Sequence, residues 1–484
     1  VTARAWADTV PIEPYLLVIF GATGDLTRRK LLPSYYRLLR RRNFADVGKV
    51  LGVATRDLTD AEYRELATEA LVNAGIDGDE AARWCGEHLV YQPVAAGFGA
   101  LAERIREVEE DAGLVGNRVF YLALPPTVFG DTVEGLGSVG LHRSSGWTRL
   151  VVEKPFGRDL ESAKRLNGLI HRWFDESQIF RIDHYLGKET VQNLLAFRFA
   201  NTLFESVWNR DRVEAVQITV AESLGIEGRA AYFEKAGIIR DIVQNHALQV
   251  LSLVAMEAPV RLEASSIRDE KVKVLRAIYP LDTDRVVRGR YTRGRVDDVA
   301  VPGYLEEEGV AADSTTETYA ALRFEVDNWR WKGVPFVVRA GKRLPRKLTQ
   351  VAVSFHEPPV CLFDTDEACQ VHANVLYITL QPDEGFDLAF DVKQPGEGFV
   401  LRTRTLHFRY ADVFGELPGA YETLLADILC GDQTLFVRAD EVEEAWRILA
   451  PVLDLPEAPE DYPAGSWGPP SADRLTAGSG WLVP

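Results

Sequence analysis

Short apolar runs parted by helical stretches recur through the first 185 residues, and no other feature of this 484-residue chain constrains its fold as strongly. Residues 15–20, 49–54, 88–91, 119–124 and 150–153 read as strands, and 25–42, 60–71, 100–111 and 160–174 read as helices. A strand without polar alternation must be covered on both faces, and strands separated by helices assemble into a parallel sheet. The expectation for 1–185 is a doubly wound, Rossmann-like dinucleotide-binding α/β domain.

Beyond residue 185 the pattern changes. Helices are expected at 188–199 and 240–256, followed by strands at 319–326, 334–340, 350–355, 375–380 and 399–404 with no helix between them. A final helical pair, 421–429 and 440–452, leads into a Pro/Gly-rich tail from Pro456. Bunched strands imply a large, mainly antiparallel sheet, so 186–484 is expected to be a β+α domain and the whole chain α/β plus α+β.

The balance of 55 Lys+Arg against 72 Asp+Glu, a net charge of −17, argues against nucleic acid or a membrane surface as partner. An anionic substrate would then need a local basic pocket. The longest stretches free of Asp, Glu, Lys and Arg, 242–256 and 368–382, are too short and too polar to span a bilayer, and 1–14 holds no apolar core of signal-peptide length. Cys85, Cys361, Cys369 and Cys430 form no CxxC, so neither a disulfide framework nor a metal is expected, and the cytoplasm is the expected compartment.

Chemistry concentrates at strand ends. The first strand runs into Gly21-Ala22-Thr23-Gly24-Asp25-Leu26, a turn whose glycines let backbone approach a pyrophosphate at a helix N-terminus. The second ends at Thr55-Arg56-Asp57, where arginine suits a ribose 2′-phosphate and a carboxylate suits a free 2′-hydroxyl; the sequence leaves open which side chain faces the ribose. Lys154, in Glu153-Lys154-Pro155-Phe156-Gly157, stands where an anion would be met. In Arg181-Ile182-Asp183-His184-Tyr185-Leu186-Gly187-Lys188-Glu189, a helix starting near His184 would put His184 and Lys188 on one face, able to clamp a phosphate; a capped helix with a solvated lysine fits the spacing equally. His246 lies on an apolar helical face, the setting of a core histidine, yet imidazole is also the base suited to alcohol oxidation near neutrality, and Asp183 can orient it. Five cations between Arg339 and Lys347 read either as a solvated hairpin tip or as the basic lining an anionic substrate requires.

Together these segments resemble the glucose-6-phosphate dehydrogenase family over nearly the whole chain. The 181–189 run is the most specific, joined by the 21–26 turn, 153–157, Glu227-Gly228-Arg229, Gln244-Asn245-His246, Gly431-Asp432-Gln433-Thr434-Leu435-Phe436 and Gly465-Ser466-Trp467-Gly468-Pro469. The resemblance implies oxidation of glucose 6-phosphate at C1 to 6-phosphogluconolactone with hydride passing to NADP, NAD being possible, as the first step of the oxidative pentose phosphate pathway. It implies His246 as general base with Asp183 as its carboxylate partner, and His184, Tyr185 and Lys188 on the phosphate. Lys154 matches a contact to both substrate and coenzyme, Glu222 and Asp241 match sugar-hydroxyl acceptors, and Lys342, Lys347 and Lys30 match further basic contacts. Gly21, Ala22, Thr23, Gly24, Asp25, Leu26 and Arg56 complete the expected coenzyme site. A homodimer or dimer of dimers, built through the large sheet, is implied too.

The chain departs from the family pattern twice, both on the coenzyme side: Thr55 stands where arginine is usual, with Arg56 displaced by one, and Phe129 stands where tyrosine is common. Two other readings stand beside it: a dehydrogenase of this fold acting on another sugar phosphate or a free sugar, and a catalytically inactive cofactor sensor. The presence of His184 and Lys188 favours a phosphorylated substrate, and that of His246 and Asp183 favours catalysis.

Overall fold

The computed structural model describes residues 12–42, 48–360, 362, 371–396, 400–415, 417–476 and 478–483. Cys361, Cys369, residues 1–11 of the N-terminal stretch, 368–370 of the second uncharged stretch and position 399 of an expected strand lie outside them. The described residues divide into two compact units.

The first unit comprises the described residues within Val1–Lys188, Pro259–Arg268 and Pro418–Glu443. Its sheet contains β1 (Tyr15–Phe20), β2 (Gly48–Ala54), β3 (Leu89–Pro93), β4 (Arg118–Leu122), β5 (Thr148–Val152) and β6 (Ile179–Ile182), all parallel, in the order β6-β5-β4-β1-β2-β3. This is the doubly wound order, with its switch point between β1 and β4. Every residue of β1 is buried, and Leu17 lies against Val50 on one side and Val119 on the other. Among its helices are α1 (Leu32–Arg42), α2 (Asp60–Asn73), α3 (Gly78–His88), α4 (Gly97–Ala112), α5 (Phe129–Ser138) and α6 (Leu160–His171). Local chemistry sets their starts: Thr59 and Glu62 form a capping box at α2, and Asp159 with Ser162 forms another at α6.

This unit reclaims two segments from beyond the expected boundary at 185/186. Phe436–Val437 adds an antiparallel strand to β6, and Gln433 Nε2 donates to the carbonyls of Glu176 (2.9 Å) and Ile179 (2.8 Å). The short outer strand would otherwise present unpaired backbone groups.

The second unit holds Glu189–Ala258, Asp269–Leu417 and Glu444–Pro484, again for the described residues. Its strands are β7 (Val213–Ala221), β8 (Val286–Thr292), β9 (Tyr319–Glu325), β10 (Pro335–Gly341), β11 (Leu348–Phe355), β12 (Val375–Gln381), β13 (Gly385–Lys393), β14 (Leu401–Arg409) and β15 (Glu460–Pro463). They form one sheet in the order β14-β13-β12-β11-β7-β10-β9-β8-β15. Pairing is antiparallel except for β7 with β10 and β8 with β15. Helices α7 (Glu189–Phe199), α8 (Ala230–Ile238) and α9 (Leu248–Ala255) accompany it, a wide π-type turn at Ile239–Ala247 joining α8 to α9. Every residue of α9 is buried, as its almost wholly apolar sequence requires. No helix of the described residues is long and apolar enough to cross a membrane.

Candidate active site

In the first unit, β1 delivers the chain into the 21–26 turn at the sheet's switch point. Gly21 takes φ +83°, and a Cβ there would meet the Ala123 carbonyl oxygen at 2.1 Å, so only glycine fits. Gly21 N–H donates to the Val53 carbonyl (2.8 Å) and Gly24 N–H to that of Gly21 (2.9 Å), fixing the turn against the end of β2. Thr27 Oγ1 also donates to the Gly21 carbonyl, at 3.0 Å. A bare, close-approach backbone followed by a helix start fits a pyrophosphate. Asp25 is exposed and lies 3.5 Å from Arg29. With Arg28, Arg29 and Lys30, it lines a cavity of about 560 Å³ closed by Ala70, Asn73 and Ala74. Of these three cations only Lys30 is among the expected site residues; the consecutive run Arg28-Arg29-Lys30 just after the glycine turn is the signal that marks the other two.

At the end of β2, Thr55, Arg56 and Asp57 are all exposed, while Tyr91 Oη donates to the Arg56 carbonyl at 2.6 Å. The backbone is thus fixed and the side chains are left to the solvent side. Phe129 is buried at the start of α5.

The segment after β5 holds a feature absent from the expectations. Glu153 is buried and its Oε1 accepts from Tyr121 Oη (2.6 Å) and Tyr421 Oη (3.3 Å). Burial pushes its carboxyl up from the ordinary range; the two phenols and Lys154 oppose that shift, and the Asp183 charge adds to it. Lys154 itself is half-buried.

After β6, Asp183 is fully buried and accepts the Tyr185 N–H at 2.9 Å, while Leu186 N–H donates to the Asp183 carbonyl (3.0 Å) and Lys188 N–H to that of Tyr185 (3.1 Å). These bonds make residues 184–187 a turn, and the helix begins at Glu189. The conditional placing of His184 and Lys188 one helical turn apart is therefore corrected: the Asp183 carboxylate captures a local amide and holds the chain out of the helix. The turn still gathers the expected residues around one ring, with His184 edge-on to Tyr185 at 5.1 Å and Lys188 Nζ 4.8 Å from the ring centroid.

In the second unit, Glu222 directly follows β7 and Lys342 directly follows β10, and they are neighbours because those strands pair in parallel, with Gly341 opposite Ala221. Lys342 Nζ lies 2.5 Å from Glu222 Oε2 and 5.2 Å from the centre of the Phe233 ring, and the lysine is buried. Asp241 accepts from Tyr232 Oη at 3.1 Å, and His246 is buried on the same wide turn. The 339–347 cation run divides. Arg339 packs between Trp467 and Trp481, Arg343 faces Glu227 (3.5 Å) and Glu307 (3.7 Å), and Lys347 is exposed. The reading of that run as one basic lining is corrected: only Arg339 stands on β10, and the other four cations follow in the turn before β11, where each side chain takes its own direction. A separate cavity of about 630 Å³ is lined by Arg198, Glu205, Glu257 and Arg330, with no motif residue. Its arginines are already matched by Glu205 and Glu257, so it is not taken as the active site.

The family models for the NAD binding domain and the C-terminal domain of glucose-6-phosphate dehydrogenase match residues 18–193 and 195–482. The chain belongs to the glucose-6-phosphate dehydrogenase family. Glucose-6-phosphate 1-dehydrogenase of Aggregatibacter actinomycetemcomitans is 47% identical over 488 residues, covering 98% of both chains. That of Treponema pallidum is 42% identical over 97% of this chain and 94% of its own. A solved glucose-6-phosphate dehydrogenase in complex with its substrate glucose-6-phosphate superposes with a TM-score of 0.89 at 37% identity, covering 98% of this chain and 99% of that one. The Mycobacterium avium enzyme gives 0.86 at 40%, with the same coverage. Glucose-6-phosphate dehydrogenases are oxidoreductases, and the first unit of this one is their dinucleotide-binding fold.

Proposed function

We propose that this chain catalyses the oxidation of D-glucose 6-phosphate at C1 to 6-phospho-D-glucono-1,5-lactone, using NADP and more weakly NAD, as the first step of the oxidative pentose phosphate pathway. The turn that gathers His184 and Lys188 about Tyr185 carries this reading, because it offers an imidazole, an ammonium and a phenol to one phosphate. The bound dinucleotide supplies the hydride acceptor. Gly21 to Leu26 and Arg56 would hold it, with Lys154 reaching both coenzyme and substrate. His246 takes the proton from the C1 hydroxyl, and Asp183 serves as its carboxylate partner. Glu222 and Asp241 accept sugar hydroxyls, while Lys342, Lys347 and Lys30 supply further positive charge.

Reduced-coenzyme absorbance with glucose 6-phosphate, galactose 6-phosphate and glucose tests the substrate. Turnover of the first well above the others supports the reading, and no turnover of any returns the cofactor sensor. For the coenzyme, Arg56 is assigned to the 2′-phosphate because Thr55 carries no charge. Arg56→Ala is then expected to lower kcat/KM for NADP far more than for NAD; equal effects would remove the assignment. We further propose a cytoplasmic enzyme, in keeping with scattered cysteines, and a homodimer or dimer of dimers. The outer strand β14 supports the latter, since it pairs only with β13 among the described residues and exposes Leu406.

A further inference from the structure

The helical run that carries Asp241 and His246 starts at a break. Gly237 leaves α8 with φ 62° and ψ 177°, and the wide turn Ile239–Ala247 begins two residues later. A helix start leaves its first N–H groups without acceptors, and Ile238 at its cap has no polar side chain. Glu317, two residues before β9, supplies both acceptors. Its backbone carbonyl takes the Ile238 N–H at 3.0 Å, and its carboxylate Oε1 takes the Ile239 N–H at 3.2 Å. The next residue, Thr318, accepts the backbone N–H of Lys342 at 2.9 Å, so one dipeptide ties the helix start to a second element of the site.

Two further observations mark this as a fitted lock. Glu317 is buried, and burial pushes its carboxyl up against the pull of the Ile239 amide, Arg288 and Arg240. An exposed Ser, Thr or Asp would cap a helix without that desolvation cost. Gly237 also lies flat on the carboxylate: a Cβ there would stand 2.3 Å from Glu317 Oε1 and 2.7 Å from its Cδ. Asp241 follows Ile239 by two positions and His246 by seven, so both side chains ride on the helical run that starts there. Any slip at the start would swing both side chains.

We propose that Glu317 is a positioning residue for the reaction, gripping the first amides of the helix at the Gly237 break and thereby fixing the rotation and axial placement of Asp241 and His246. The inference rests on the roles assigned above to those two residues. Glu317→Ala is expected to lower kcat for glucose 6-phosphate by roughly 10²-fold, the cost of about 1 Å of misplacement. Coenzyme affinity, read from reduced-nicotinamide fluorescence, should stay at its wild-type value, because the dinucleotide turn belongs to the other unit. Glu317→Gln keeps an oxygen acceptor and should restore most of kcat.

Gly237→Ala should reproduce the kinetic defect by pushing the carboxylate off the same amide, and the double variant should be no slower than the slower single one. If Gly237→Ala does not fold, the comparison of Glu317→Ala with Glu317→Gln decides alone. Wild-type kcat in Glu317→Ala, an equal loss of coenzyme affinity, or additive effects of the two substitutions would each overturn the proposal. His246→Ala, measured alongside, separates the two readings. An active His246→Ala removes the assigned base, whereas an inactive one beside a normal Glu317→Ala overturns the positioning role alone.

Discussion

His246 shows how much a single buried side chain can depend on its chemistry rather than its packing. It is 1% exposed on an otherwise apolar helical face, the place of an ordinary core residue. If it is the base, His246→Ala should reduce kcat by about 10²–10⁴-fold while KM for glucose 6-phosphate changes little, which steady-state kinetics would read directly. A variant with near-normal kcat would return it to the core. Lys188 makes the complementary case for binding. Its ammonium is held beside Tyr185, and a charge-assisted contact to phosphate is worth about 1.5–3 kcal/mol. Lys188→Ala should therefore raise KM for glucose 6-phosphate by roughly 10- to 100-fold and leave any weak activity on free glucose unchanged. Equal losses on both sugars would make the lysine structural.

Elements meet at Glu153, which joins the end of β5 to Tyr121 on β4 and Tyr421 on the helix Ala420–Cys430. Its carboxyl is raised by burial, so the native state binds this proton more tightly than the unfolded chain does. The resulting stability is complete below the unfolded value of about 4.3 and is lost as pH rises through the higher folded value. Glu153→Gln cannot ionise. Its stability relative to wild type should therefore improve as pH rises from acid toward neutral, measured by urea unfolding across that window. A difference constant with pH would show that burial does not act on this proton. The legibility of elements followed the same physics. Unbroken apolar runs, such as β1 and Val119–Leu122 of β4, were readable because two-sided burial imposes that composition. β6, with only four residues and Arg181 among them, was not, since that arginine is buried by pairing with Glu176 at 2.6 Å. β13 escaped for a similar reason: its Asp387 is buried against β14, where Arg409 binds both carboxylate oxygens and His407 Nδ1 lies 2.5 Å from one of them.

Across the molecule, the end of the chain closes on the large sheet of its own unit. Gln217 on β7 donates to the Gly480 carbonyl and accepts the Leu482 N–H, both at 2.8 Å. Arg339 on β10 lies between Trp467 (4.6 Å) and Trp481 (4.4 Å), and burial pushes its guanidinium down to about 10. Trp481→Ala should destabilise the protein by about 1–3 kcal/mol, through a lost cation–π contact of about 2 kcal/mol or less and newly exposed apolar surface. Chemical denaturation would measure it, and an unchanged midpoint would mean that the tail contributes nothing to the sheet. The sequence alone determined the doubly wound first unit, the existence of a strand-rich second one and the motifs that carry the family, because periodicity and strand-end glycines are local consequences of burial and backbone geometry. Tertiary structure decided the return of 418–443 to the first unit, the Tyr121–Glu153–Tyr421 cluster and the grip of Glu317 on Ile239. Each depends on hydrogen bonds between residues far apart in the chain, and no local pattern records which buried carboxylate will meet which donor.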